Sequence, residues 1–170
     1  MTIPGVSYTH SDFPTLQILS KLLSQNFLHT EIREKGGAYG SGVQAGSAIS
    51  FYSYRDPNVE RTLDTFLKSY DWLKNPSNYT DDDIEAAKLT LFSQLDAPIV
   101  PSRKGLSEFK QCLTWEMKQR HRDGIFSSTR DDILAVTEKY FVSNIPHAIT
   151  VVGNEQLHSS LDSSWKVEAW

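Results

Sequence analysis

Phe27-Leu28-His29-Thr30-Glu31-Ile32-Arg33-Glu34-Lys35-Gly36-Gly37-Ala38-Tyr39-Gly40 is the stretch on which the fold turns. An apolar helical pattern runs into a cluster of charges, stops at two glycines, and gives way to a tyrosine among small residues. Upstream, Phe13, Leu16, Leu19, Leu23 and Phe27 recur at spacings of three and four, which predicts an amphipathic helix. Leu28 and Ile32 extend it to Gly36-Gly37. Ser11 is the expected N-cap, with Asp12 and Pro14 in the first turn. Downstream, the segment from Ala38 to Tyr54 is rich in Gly, Ser, Tyr and β-branched residues and predicts two strands joined near Ala45-Gly46-Ser47. Ile49, Phe51 and Ser53 fall on one face of the second strand, Tyr52 and Tyr54 on the other.

Further out, Ile3 to Tyr8 reads as a short extended segment. Asp56-Pro57-Asn58 opens a helix bearing Val59, Leu63, Phe66, Leu67 and Tyr70, and Asn75-Pro76-Ser77-Asn78 is a loop. Thr80 before Asp81, Asp82 and Asp83 is a helix start: a capping hydroxyl with acids at the positive end of the dipole. Ile84, Ala87, Leu91 and Leu95 follow on one face, and the prolines at 98 and 101 end that helix. Leu106, Phe109, Leu113 and Met117 predict one helix ending near Asp123-Gly124, with Cys112 inside it as a packed or idle thiol rather than a nucleophile. Thr129 and Asp132 cap another, carrying Ile133, Val136 and Tyr140. Ala148 to Val152 is an expected final strand, and residues 153–170 a Ser-rich tail pinned by Trp165 and Trp170. Strand, helix, two strands, several helices and a strand make an α+β chain, with an antiparallel or mixed sheet and helices packed on one face.

The 170 residues (19.3 kDa) suit one domain, 1–170, with 39% hydrophobic and 22% charged side chains. Seventeen Lys and Arg against 21 Asp and Glu leave a formal charge of −4, the wrong sign for a nucleic-acid binder. The lone cysteine rules out an internal disulfide framework and a cysteine-rich zinc module. No apolar run approaches the roughly 20 residues of a spanning helix, so no membrane insertion is expected.

Nor does the chain offer a metal site of its own. Its five histidines (His10, His29, His121, His147 and His158) fit neither H-E-x-x-H nor H-x-x-E-H. His29 and Glu31, two apart, point to different helix faces. The sequence has no G-x-S-x-G, P-loop or G-x-G-x-x-G, and Asn78-Tyr79-Thr80, although a glycosylation sequon, is explained by Thr80 as a cap. What remains is Arg33, Tyr39 and the pair Gly36-Gly37. A guanidinium fork and a phenol suit gripping a peptide carbonyl, and paired glycines allow close backbone approach. The alternative is a plain helix end, with Arg33 on the dipole and Tyr39 packed in the sheet. Taken alone, the residues favour the plain helix end.

The run Phe27–Gly40 together with Phe51-Tyr52-Ser53-Tyr54-Arg55-Asp56-Pro57-Asn58 resembles the pitrilysin-type (inverzincin) metallopeptidases, and within them the presequence protease branch of mitochondria and chloroplasts. Glu85-Ala86-Ala87-Lys88-Leu89 before Asp96-Ala97-Pro98, and Glu116-Met117-Lys118-Gln119 with Arg120-His121-Arg122, match in the same order. The similarity thus covers about residues 4 to 152. It implies a domain of the pitrilysin/LuxS-like metallohydrolase type, the last domain in the C-terminal half of a two-halved clamshell, from a polypeptide extending upstream of Met1 and ending close to this C-terminus. It further implies that zinc is held by the absent N-terminal half, and that this chain binds none and cleaves nothing alone. Through R-E-K-G-G-A-Y, the family's substrate-contacting Arg and Tyr fall on Arg33 and Tyr39, with Gly36 and Gly37 as the close-approach loop. The implied partners are the zinc-bearing half and short unstructured peptides such as presequences, in the mitochondrial matrix or, alternatively, a plastid. The family also contains non-catalytic scaffold subunits, of the processing-peptidase or core-protein type, which is the competing expectation.

Overall fold

Alternation in the segment after the glycines does produce a hairpin, and it anchors the sheet. In a computed structural model that describes residues 1–142, 145–154 and 165–168, β2 (Gly40–Gln44) and β3 (Ala48–Tyr54) pair antiparallel, Val43 opposite Phe51 and Gly40 opposite Tyr54. The N-terminal segment supplies β1 (Thr2–Pro4), antiparallel to β3 with Ile3 opposite Ile49, so the order is β1-β3-β2. Ile3, Val43, Ile49 and Phe51 are buried under the helices, while Tyr52 and Tyr54 stand exposed on the other face. The helices therefore cover one face, as the residue pattern demands. Ala148 joins the sheet through an antiparallel bridge to Thr2, and Ile149 to Val152 form no strand pairing among the described residues. The expected fourth strand is thus a bridge. Trp165 lies half-buried, but most of the tail, Trp170 included, falls outside the described residues.

The central helix α1 (Phe13–Leu23) buries Leu16, Ile18, Leu19, Leu22 and Leu23 almost all the way round. It packs against α4 (Asp81–Leu95), α6 (Trp115–Ser127) and α7 (Arg130–Tyr140), which accounts for burial on every side. Its N-cap is Asp12, not Ser11: the Asp12 amide donates to His10 Nδ1 (3.1 Å), and the Asp12 carboxylate accepts from Lys139 (2.6 Å) and Tyr140 (2.7 Å). Asp12 caps through its backbone carbonyl alone, which takes the Leu16 amide (2.9 Å), while its carboxylate is turned to α7, more than a hundred residues away. Instead of ending, α1 widens into a π-helix over Ser24–Glu34. Ser24 Oγ donates to the carbonyl of Val43 (3.3 Å) and accepts from its amide (2.9 Å), closing the outer edge of β2 against the helix.

The strongest capping signals hold. Thr80 and Asp83 form a reciprocal capping box on α4, as do Thr129 and Asp132 on α7. After Asp56-Pro57-Asn58 the chain makes α2 (Val59–Leu67) and α3 (Ser69–Lys74); Phe66 is buried against Phe51, whereas Leu67, expected inside, is exposed. Leu95 is also partly outside. The helix expected over Leu106 to Gly124 is two: α5 (Leu106–Gln111) ends where Cys112 turns left-handed (φ 54°), and Thr114 caps α6. Cys112 is consequently exposed at a break rather than packed within a helix. Helix α6 then runs through Gly124, where an added Cβ would lie 2.6 Å from Pro14 Cγ, so the glycine lets α6 lie against α1 instead of ending it.

His121 of α6 carries a pH dependence. Its ring packs on Tyr8 (4.7 Å) and Phe13 (5.3 Å), is 3% exposed, and has no hydrogen-bond partner at either nitrogen among the described residues. Burial pulls its pKa from 6.5 down to about 4. A base with a depressed folded-state pKa stabilises fully above its unfolded value, and the contribution fades as pH falls through 6.5 towards 4. Between pH 7 and 5 the domain is expected to lose about 2 kcal/mol of stability from this group. Urea midpoints at the two pH values should show the drop in the wild type and a much smaller one in His121→Phe; equal slopes would discard the assignment.

Candidate functional site

The wide turns of the π-helix set how it can end. Gly37 adopts φ 80° and donates to the Arg33 carbonyl (3.0 Å), while Ala38 donates to the Ile32 carbonyl (3.1 Å). These nested bonds resemble a Schellman closure widened by one residue. Gly36 and Gly37 serve it differently. A Cβ on Gly36 would sit 2.4 Å from the Ile32 carbonyl oxygen, so that position is closed by crowding. Gly37 has space, its nearest neighbour being Pro57 Cγ at 3.6 Å, and is required by conformation.

The loop after β3 clamps this turn. Asn58 Nδ2 donates to the Gly36 carbonyl (2.7 Å), and its own amide is held by Asp56 Oδ1 (2.8 Å). Arg61 donates to the Lys35 carbonyl (3.1 Å) and reaches Glu31 (3.8 Å), which also takes Lys35 (2.5 Å). The two quoted motifs, EIREKGGAYG and YSYRDPN, are therefore one structural unit. The segment between Arg33 and Tyr39 is held in its middle by the side chains of Asn58 and Arg61 and at its end by the Tyr39 amide on the Tyr54 carbonyl.

Both candidate side chains are exposed on that unit. Arg33 shares a hydrogen bond with His29, four residues earlier (Nη1 to Nε2, 3.0 Å), and His29 Nδ1 faces Glu34 (3.4 Å). No carboxylate pairs with Arg33 among the described residues, so most of its donors point to solvent. Tyr39 is 67% exposed; its amide joins the sheet at the Tyr54 carbonyl (3.1 Å), and its hydroxyl has no partner among the described residues. The packed tyrosine of the plain helix end is thereby corrected. The structure does not join Arg33 to Tyr39 by any hydrogen bond: each has its own surroundings, the first beside His29, the second beside Tyr54 and Arg55. His29 and Arg55 are the neighbours that spacing did not single out. The His29–Arg33 interval of four was a usable signal; the left-handed backbone of Arg55 (φ 49°) had none.

The described residues do not fit a zinc ion. No three of their His, Cys, Asp and Glu side chains converge as ligands. What this surface offers is hydrogen-bond donation from a cation and a phenol.

A small antiparallel sheet with helices on one face makes this an α+β domain. The fold superposes on the crystal structure of a Bordetella pertussis Tohama I protein assigned as a zinc protease, with a TM-score of 0.64 over 88% of this chain and 92% of that one; at 19% identity the likeness is one of fold. The family model of the PreP C-terminal domain matches residues 6–155, and the chain belongs to that family. It is 42% identical over 163 residues to the mitochondrial presequence protease of Xenopus tropicalis, and 41% identical over 166 residues to that of Mus musculus. These alignments cover 94% and 96% of this chain but 16% of each relative, so it spans about a sixth of their length.

Proposed function

We propose that this chain is one domain, the C-terminal domain of a two-halved mitochondrial zinc metalloendopeptidase acting on presequences and other short unstructured peptides. In this reading it grips substrate while the N-terminal half of the same polypeptide holds the zinc. The observation that carries it is that Tyr39, its hydroxyl without a partner among the described residues, and Arg33, its donors exposed, stand on the same clamped turn. A phenol without an internal partner is able to donate to a peptide carbonyl as negative charge develops on its oxygen. Arg33 binds the substrate backbone nearby through donors that no carboxylate neutralises. The names of the relatives support a mitochondrial compartment; placing the domain in the matrix is part of this proposal.

The experiment compares zinc content and peptide cleavage for the full-length parent and for this chain alone. The parent is expected to hold zinc and cleave an unstructured peptide, and the chain alone to do neither. Cleavage by the chain alone would overturn the division of labour. A parent that neither binds zinc nor cleaves would point to the scaffold subunit instead.

A further inference from the structure

Tyr39 has two ring or cation neighbours: the Tyr54 ring, edge-on with centroids 6.0 Å apart, and the Arg55 guanidinium, 5.8 Å from the Tyr39 centroid. The same guanidinium lies 5.5 Å from the Tyr54 centroid, so one cation spans both rings. Arg55 is exposed and forms no ion pair among the described residues, and its backbone is left-handed (φ 49°). That conformation costs a non-glycine residue energy, and such residues gather at functional sites. It also turns the chain from β3 into Asp56 and Asn58, which hold the Gly36 carbonyl.

We propose that Arg55 is a positioning residue for Tyr39, its guanidinium lying against the rings of Tyr39 and Tyr54 and fixing where the phenolic hydroxyl meets the substrate carbonyl. This rests on the role proposed above for Tyr39. A cation over a tyrosine face is attracted by the ring quadrupole, and an exposed phenol without that contact is free to change rotamer. Small misplacements of a donor are costly to a transition state.

In the full-length parent, Arg55→Gly is expected to lower kcat about tenfold with KM changed less than about twofold. Glycine accepts the left-handed turn without strain, so the loss does not come from misfolding. Arg55→Lys, which keeps a cation at the rings, is expected to retain most of the activity. In a Tyr39→Phe background, which keeps the ring and removes the hydroxyl, Arg55→Gly should cost less than about twofold. An equal loss in both backgrounds, no loss from Arg55→Gly, or an Arg55→Lys as slow as the glycine variant would each overturn the proposal. If Tyr39→Phe alone leaves kcat unchanged, the role of Tyr39 itself falls, and this proposal with it.

Discussion

Tyr39→Phe in the full-length parent is expected to lower kcat by roughly 10²-fold, the usual consequence of losing one donor to a developing oxyanion. The structure makes this substitution unusually clean. The hydroxyl has no partner among the described residues and the ring is 67% exposed, so removing the oxygen strands no buried group. The edge-on contact with Tyr54 and the cation contact with Arg55 need only the ring, which phenylalanine retains. Thermal stability should therefore stay within about 0.5 kcal/mol of the wild type. KM for a peptide should also change little if the bond strengthens mainly in the transition state. Steady-state kinetics on one unstructured peptide decide it: unchanged turnover removes Tyr39 from the chemistry, and a rise in KM with unchanged kcat makes it a ground-state contact instead.

How the site became visible follows from the range of the forces involved. Capping is local, so Thr80 with Asp83 and Thr129 with Asp132 could be read from four consecutive residues, and both boxes form. The β2-β3 hairpin and its Ile49/Phe51 face were equally legible, because period-two alternation and a short turn are local too. Asp12 rather than Ser11 stands at the N-cap, and its carboxylate goes to Lys139 and Tyr140, partners that no window around residue 12 contains. The break at Cys112 was hidden because Leu106, Phe109, Leu113 and Met117 keep helical spacing across it, yet Phe109 is 86% exposed: the pattern did not reflect burial. The π-helix left no trace either, since Leu28 and Ile32 suit an α-helix as well. Arg33 and Tyr39 stood out by family resemblance, while the residues alone pointed to an ordinary helix end. The clamp from Asn58 and Arg61, which ties two distant motifs into one surface, leaves no local pattern in either motif.

The closing turn of the π-helix makes the two adjacent glycines unequal, and the inequality is measurable. In Gly36→Ala the new methyl would meet the Ile32 carbonyl oxygen at 2.4 Å and the Glu31 carbonyl oxygen at 3.2 Å. Both obstacles are backbone, which cannot swing aside as a side chain does. The Ile32 carbonyl is also the acceptor for Ala38, and the Gly36 carbonyl the acceptor for Asn58, so relief of the clash disturbs both bonds. A cost of roughly 3 kcal/mol follows, which for a domain of this size is a fall in Tm of about 6 to 12 °C. Gly37→Ala meets only Pro57 Cγ at 3.6 Å, and its penalty is that of a left-handed alanine, about 1 to 2 kcal/mol. Gly37→Asn should cost less again, because asparagine tolerates that conformation. The expected order of melting temperatures is wild type, Gly37→Asn, Gly37→Ala, Gly36→Ala. In the full-length parent the loss of peptide cleavage should follow the same order, because displacing Gly36 moves Arg33 and Tyr39 relative to each other. A Gly36→Ala domain that melts with the wild type would show that the turn relaxes freely, and that the clamp does not set the geometry of the pair.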